Sequence, residues 1–177
     1  MSEQTLTGMF DMVWGHLSRG VSDRRHPARH PTLATIGPDG PDMRTLVLRA
    51  AHRDSARLDL HTDAASPKYA QIRRDPLIAL HVWIPKARLQ IRARGLARLE
   101  PGDPALFAAL PPEAQANYGG PAPGTAGPHT QPPTPDASRF ALIRCQVTQI
   151  DALLLADPHQ RALYTAETGW QGQWIAP

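Results

Sequence analysis

Three short stretches of this chain set cations or amides into segments otherwise patterned for burial. They are Arg44-Thr45-Leu46-Val47-Leu48-Arg49, then Leu60-His61-Thr62 with Ser66-Pro67-Lys68, then Leu89-Gln90-Ile91-Arg92. A charge taken out of water is costly unless an opposite charge meets it. No run of acids stands beside these segments, so an anionic ligand is the economical expectation. Ser66-Pro67 places serine at a helix cap and proline at the first helical position. Lys68 then falls in the first turn, where backbone N–H groups are unpaired and the helix dipole is positive. Phosphate is the usual guest of such a place; a solvated surface lysine is the alternative. Arg44 shares a strand face with Leu46, Leu48 and Ala50, and Arg49 lies opposite with Thr45 and Val47. A guanidinium there can grip a phosphate through two hydrogen bonds, or pair with a nearby acid such as Asp42 or Asp59. Gln90 shares a face with Arg88, Arg92 and Arg94. Its amide can read a ring edge carrying adjacent C=O and N–H groups, or belong to a solvated polar face.

The elements that position these residues follow from periodicity. Leu6, Phe10, Val13 and Leu17 recur at helical spacing and predict an N-terminal helix over about residues 3–19, stopped by Gly20. Val21–Pro31 is a connector. Thr32–Ile36 and Asp42–Ala51 read as a hairpin about Gly37-Pro38-Asp39-Gly40, and Arg57–Thr62 as a third strand. A helix runs from Pro67 to a break at Asp75-Pro76. Leu77–Ile84, Arg88–Glu100 and Phe140–Ile150 are further strands, with a short helix opened by Asp103-Pro104. Arg161–Ala166 and Gln173–Ile175 close the chain around Gly169-Trp170. Residues 111–135, dense in proline and glycine, form an insertion too long for an ordinary connection, either a functional flap or a disordered segment. Six or more short strands without an alternating βαβ pattern predict one all-β domain, an antiparallel barrel with peripheral helices.

Composition narrows the function classes. The 177 residues carry a formal charge of +3, and the only lysines are Lys68 and Lys86. Basic residues are interleaved with acids rather than gathered on one face, and aromatics are 6%, which argues against a nucleic-acid surface. Cys145 stands alone and alternates with Ala141, Ile143 and Val147, as a buried structural thiol would, so neither a disulfide framework nor a cysteine metal cluster is expected. His26 and His30 are the close histidine pair, but Pro27 and Pro31 deny them a shared helix face, so no metal is expected. His81 and Trp83 share a strand face and read as packing, with a place near a bound ligand as the alternative. No apolar run reaches transmembrane length, and a cytoplasmic protein is expected.

The order and spacing of Arg44 to Arg49, Thr62, Ser66 to Lys68, and Gln90 with Arg92 resemble the pyridoxamine 5′-phosphate oxidase family. The ending from Trp170 to Ile175-Ala176-Pro177 is similar too. The resemblance runs from about Pro31 to Pro177. It implies an FMN-binding split β-barrel of Greek-key antiparallel strands. It also implies FMN as cofactor, and a homodimer with the cofactor at the interface. By this resemblance Arg44 and Lys68 hold the FMN phosphate with help from Ser66. His61 and Thr62 line the ribityl and ring region. Thr45, Leu46 and Val47 border the flavin, the last two through backbone groups, and Gln90 meets the pyrimidine edge of the ring. Arg161 matches an arginine that reaches the cofactor from the partner chain. Arg49 replaces a lysine that meets flavin and substrate, and His159 matches a substrate histidine. Leu110-Pro111 lacks the arginine of a substrate-phosphate pair, Asp157 stands where another arginine is expected, and Leu153 replaces a tryptophan. The implied activity is an FMN-dependent oxidoreductase acting on a small molecule other than pyridoxamine phosphate. A non-catalytic flavin or haem sensor on the same barrel is the alternative, and a deazaflavin is a further candidate ligand.

Overall fold

The computed structural model describes residues 5–128 and 133–177, so the start of the expected N-terminal helix (residues 3 and 4) and part of the proline-rich insertion (residues 129–132) lie outside the described residues. Helix α1 (Leu6–Ser22) is capped by Thr5, whose hydroxyl accepts from the Gly8 N–H. It buries Met9, Val13, Trp14 and Leu17 against the barrel core. Gly20 is not the stop expected of it. The helix continues to Ser22, and Gly20 is a point of close approach: a Cβ there would lie 2.6 Å from the Ala28 carbonyl carbon. Residues Pro27–Arg29 of the connector form one 3-10 turn.

Strands β1 (Thr32–Gly37) and β2 (Gly40–Thr45) form the expected hairpin. The single returning strand Asp42–Ala51 is not observed. The chain leaves β2 at Leu46-Val47 and re-enters the sheet as β3 (Leu48–His52), which pairs with β4 (Arg57–Asp63) instead of β1. Helix α2 (Pro67–Arg74) follows. Then come β5 (Leu77–Ile84), β6 (Leu89–Pro101), the short helices α3 (Pro104–Ala108) and α4 (Pro112–Gln115), and β7 (Phe140–Leu154). Strands β8 (Gln160–Thr165) and β9 (Gly172–Ile175) end the chain.

The sheet is antiparallel throughout, in the order β2-β1-β5-β6-β7-β4-β3, with β8 and β9 added beside β7. Its two edges, β2 and β3, are joined by only Leu46 and Val47. A two-residue link spans little distance, so the sheet must curl until its edges meet. That is a barrel with a split, and the split lies at Leu46-Val47. Alternation then fills the interior with Leu33, Leu48, Leu60, Leu80, Leu89, Ile91 and Ile143, all nearly or wholly buried. Long β7 bridges both halves, pairing with β6 along its length and with β4 at its start. Cys145 is buried in this core and burial pushes its thiol up to about 12, which fits the structural role expected of it.

A second, smaller core lies outside the barrel and holds Phe107, Tyr118, Phe140 and Leu142. The described part of the proline-rich insertion packs on it. Tyr118 is buried edge-on to Phe140, Gly119 bridges to Pro135, and the Arg139 guanidinium donates to the Gly120 carbonyl. His81 and Trp83 point outward and are exposed, rather than packed.

Candidate functional site around the barrel split

The split brings the expected anion-binding cations together. Arg44 lies one residue before the end of β2 on one edge, and α2 starts just after β4, next to β3 on the other. Arg44 and Lys68 line one cleft of about 230 Å³ with Asp42, Pro67, Pro123 and Gly124. Arg44 is held by its surroundings. It donates to the Thr35 hydroxyl (2.5 Å), to the Gln71 side-chain oxygen (3.0 Å) and to the Asp42 carboxylate (2.5 Å). Gln71 in turn donates to Asp42. The Asp42 pair weighed against a phosphate role is therefore present. The Gln71 hydrogen bond, with Arg44 beside it, keeps the Asp42 carboxyl below its ordinary range.

Lys68 differs, because among the described residues it makes no ion pair. It is half-buried, and burial together with the Arg44 charge holds its ammonium below the usual lysine value. Two cations and one carboxylate leave the cleft with a net positive charge beside the α2 N-terminus. Ser66 is the α2 N-cap residue, but its side chain makes no capping bond. Its hydroxyl donates instead to the Asp63 carbonyl (2.6 Å) and meets the Thr62 hydroxyl at 3.1 Å. The first N–H groups of α2 thus receive no side-chain acceptor, which suits an anion.

Arg49 and His61 extend the site along β3 and β4. Arg49 Nε and His61 Nδ1 are buried with no hydrogen-bond partner among the described residues. Leaving such groups unsatisfied is unfavourable, so a hydrogen-bonding ligand fits them, one that accepts at Arg49 Nε. Burial, then the Arg49 and Arg144 charges, push His61 down to about 4, so it is neutral near pH 7. Arg49 carries no carboxylate partner among the described residues, and burial lowers its pKa. Its charge acts on the Tyr118 hydroxyl, which burial raises. At the split, the Leu46 N–H donates to the Pro31 carbonyl (3.0 Å), whereas the Val47 N–H has no partner among the described residues. Thr45 is exposed at the end of β2.

Gln90 and Arg161 lie elsewhere. Gln90 faces Leu153 across β6–β7, and Leu153 faces Arg161 across β7–β8, so the three form one cross-strand row. Arg161 is bound through two bonds, 3.0 and 2.8 Å, to Asp151, which also takes Arg92 at 2.5 Å. His61 faces Leu142 near the start of β7, eleven positions from Leu153. Along the strand that is roughly 36 Å. Along β7, Gln90 and Arg161 therefore stand apart from His61, whereas Arg44 reaches the strand of Gln90 through the row Arg44–Leu33–Leu80–Ala93. His159 is exposed on the β7–β8 turn and meets the Ala156 carbonyl at 2.7 Å; Asp157 is exposed beside it.

Three features escaped the sequence reading. The Thr35–Gln71–Asp42 frame behind Arg44 joins positions far apart in the chain, although Asp42 itself was legible two residues before Arg44. Asp151 pairs with Arg92 across 59 positions. Tyr118 is the lone aromatic of residues 111–135, and that isolation was the available signal that the insertion packs. Among the described residues no cluster of three metal-ligating side chains occurs, and no helix is long and apolar enough to cross a membrane.

Comparison with known proteins agrees with this fold. A solved pyridoxamine 5′-phosphate oxidase-related, FMN binding protein from Nostoc punctiforme is 29% identical, with a TM-score of 0.76 over 94% of this chain and 96% of that one. PhzG from Burkholderia lata, solved with tetrahydrophenazine-1-carboxylic acid, shares the fold at 14% identity and a TM-score of 0.72, covering 99% of this chain and 94% of its own. A protein related to general stress protein 26, of the pyridoxinephosphate oxidase family, from Clostridium acetobutylicum shares it at 10% identity and a TM-score of 0.61, over 93% of this chain and 98% of that one. No protein of curated function matches the sequence. The family model described as pyridoxamine 5′-phosphate oxidase, FMN-binding domain, matches residues 11–100. With its split antiparallel barrel, the chain belongs to this family of FMN-binding domains.

Proposed function

We propose that the protein is an FMN-dependent oxidoreductase acting on a small molecule, with its cofactor bound at the barrel split between two copies of the chain. The observation that carries this reading is Lys68. It is a half-buried ammonium without an ion-pair partner among the described residues, sharing a cleft with Arg44 at the start of α2. A phosphate monoester is the ligand that such a cleft favours. Lys68 and Arg44 would hold the FMN phosphate, Arg44 fixed in place by Thr35, Gln71 and Asp42. Thr62 and Ser66, with their hydroxyls in contact, border the tail. Thr45, Leu46 and Val47 border the ring, Val47 offering its free N–H. Bound FMN supplies the redox chemistry, and the protein orients the ring and sets the charge around it. Arg49 and neutral His61 present unsatisfied donors or acceptors there, which suits a ring or substrate oxygen near Arg49.

Gln90 and Arg161 lie far along β7 from His61, and in this reading they reach the ligand from a second copy of the chain. The substrate is a small molecule other than pyridoxamine phosphate, because Asp157 sets a negative charge where a phosphate would need a cation. The same substitution favours a second reading, a flavin-binding module without turnover; steady-state assays with candidate electron donors separate the two. The test of the binding site is the visible spectrum and FMN affinity of the purified protein. Lys68→Ala should weaken FMN binding by about tenfold or more with the far-ultraviolet circular dichroism unchanged. Equal affinity in the variant would remove the phosphate assignment.

A further inference from the structure

A second cationic cleft, of about 480 Å³, lies away from the split, between the end of α1 and the β5–β6 turn. His16 and Arg19 reach it from α1, Asp23, Arg25 and His26 from the connector, and Lys86 from the turn. Arg19, Arg25 and Lys86 form no ion pairs among the described residues. Asp23 is the one carboxylate lining the cleft, and its Oδ1 accepts the Arg25 backbone N–H at 2.8 Å. The chain therefore holds three cations around one acid, with two imidazoles between them.

The imidazoles are coupled. His16 Nδ1 and His26 Nε2 are 3.1 Å apart, and His26 Nδ1 accepts the Ala28 N–H at 3.2 Å. That second bond fixes the tautomer: neutral His26 carries its proton on Nε2 and donates it to His16 Nδ1. The proton of neutral His16 then sits on Nε2, a spare donor. Both acceptor nitrogens are in use, so an added proton must break one of these contacts and place a charge beside Arg19. Burial lowers both imidazole pKa values; the pair itself and Arg19 lower His16 further, and Arg19 lowers His26 while Asp23 raises it. An anion in the cleft would offset that repulsion, and by reciprocity protonation would strengthen anion binding.

We propose that this cleft is a second anion site, for the phosphate group of a small metabolite, and that protonation of the His16–His26 pair tightens it. The proposal does not depend on where FMN binds. It is tested on the full chain loaded with FMN, with inorganic pyrophosphate as the probe and the His16 and His26 imidazole resonances as the readout. Pyrophosphate should shift both saturably and bind about tenfold more tightly at about pH 5.5 than at about pH 7.5. Arg25→Gln and Lys86→Gln, both at exposed positions, should each weaken it about tenfold. His16→Gln should keep binding near pH 7.5 and lose most of the pH dependence, with FMN content confirming that it folds. Shifts reproduced by sodium chloride at equal ionic strength would reduce the effect to screening and overturn the site. An equal response to succinate would overturn the phosphate assignment. PH dependence that survives in His16→Gln would overturn the role of the histidine pair.

Discussion

His61 shows how one residue carries both the architecture and the site. Its ring packs edge-on to Phe140 at 4.9 Å, and its Nδ1 has no partner among the described residues. Burial, Arg49 and Arg144 depress its pKa to about 4, against about 6.5 in an unfolded chain. Between those values the unfolded state binds more protons than the folded one, so stability must fall as the pH drops from about 6.5 to about 4. The upper bound is about 3 kcal/mol, which the residual exposure of the ring reduces. His61→Asn should flatten that acid limb in urea titrations across this range, and a limb of unchanged slope would assign acid sensitivity elsewhere. Lys68 was legible because serine, proline and lysine in sequence specify a helix start locally. Arg44 was legible only as a choice between phosphate and Asp42, and the structure shows the Asp42 bond. The Arg92–Asp151–Arg161 clamp was not legible, because it depends on strand pairing rather than spacing.

At the scale of elements, pattern and partner are different things. No glycine or proline interrupts Asp42 to Ala51, so the segment reads as one strand. What changes at Leu46-Val47 is the hydrogen-bonding partner, β1 before and β4 after, and side-chain periodicity carries no record of that. The resemblance implied a split barrel and the individual strands were plain, but the place of the split, at Leu46-Val47, was hidden from residue pattern. Gly20 misled for a related reason: a glycine at the end of a helical pattern reads as a stop, whereas here it admits the Ala28 backbone. Two alanine substitutions in α1 separate these roles. Gly20→Ala places a Cβ at 2.6–2.9 Å from Ala28 atoms and should cost about 1–3 kcal/mol. Gly15→Ala has open space around it and should gain about 0.5–1 kcal/mol from helix propensity. Equilibrium urea unfolding of the two variants checks both signs; a neutral Gly20→Ala would mean that the α1–connector contact yields without cost.

For the molecule as a whole, the decisive feature is the distribution of ligand-directed residues over one long strand. Lys68, Arg44, Arg49 and His61 lie about the split, with His61 facing the start of β7. Gln90 and Arg161 sit at its far end. In the proposed reading, a single chain offers one mononucleotide only half of this set. In a two-fold dimer each site can be completed by the other copy, and two equivalent sites arise. Such a composite site has a signature that no single-chain site shares. Lys68→Ala and Arg161→Ala homodimers should both lose FMN, because every site in them lacks one member. In a mixed dimer of the two variants, one site carries both defects and the other carries neither. Differently tagged variants, co-expressed and purified through both tags, should then retain about half the FMN of the unaltered dimer. Were each site built within one chain, both sites of the mixed dimer would stay defective and no FMN would return. Full retention by the Arg161→Ala homodimer would instead confine Arg161 to its bond with Asp151.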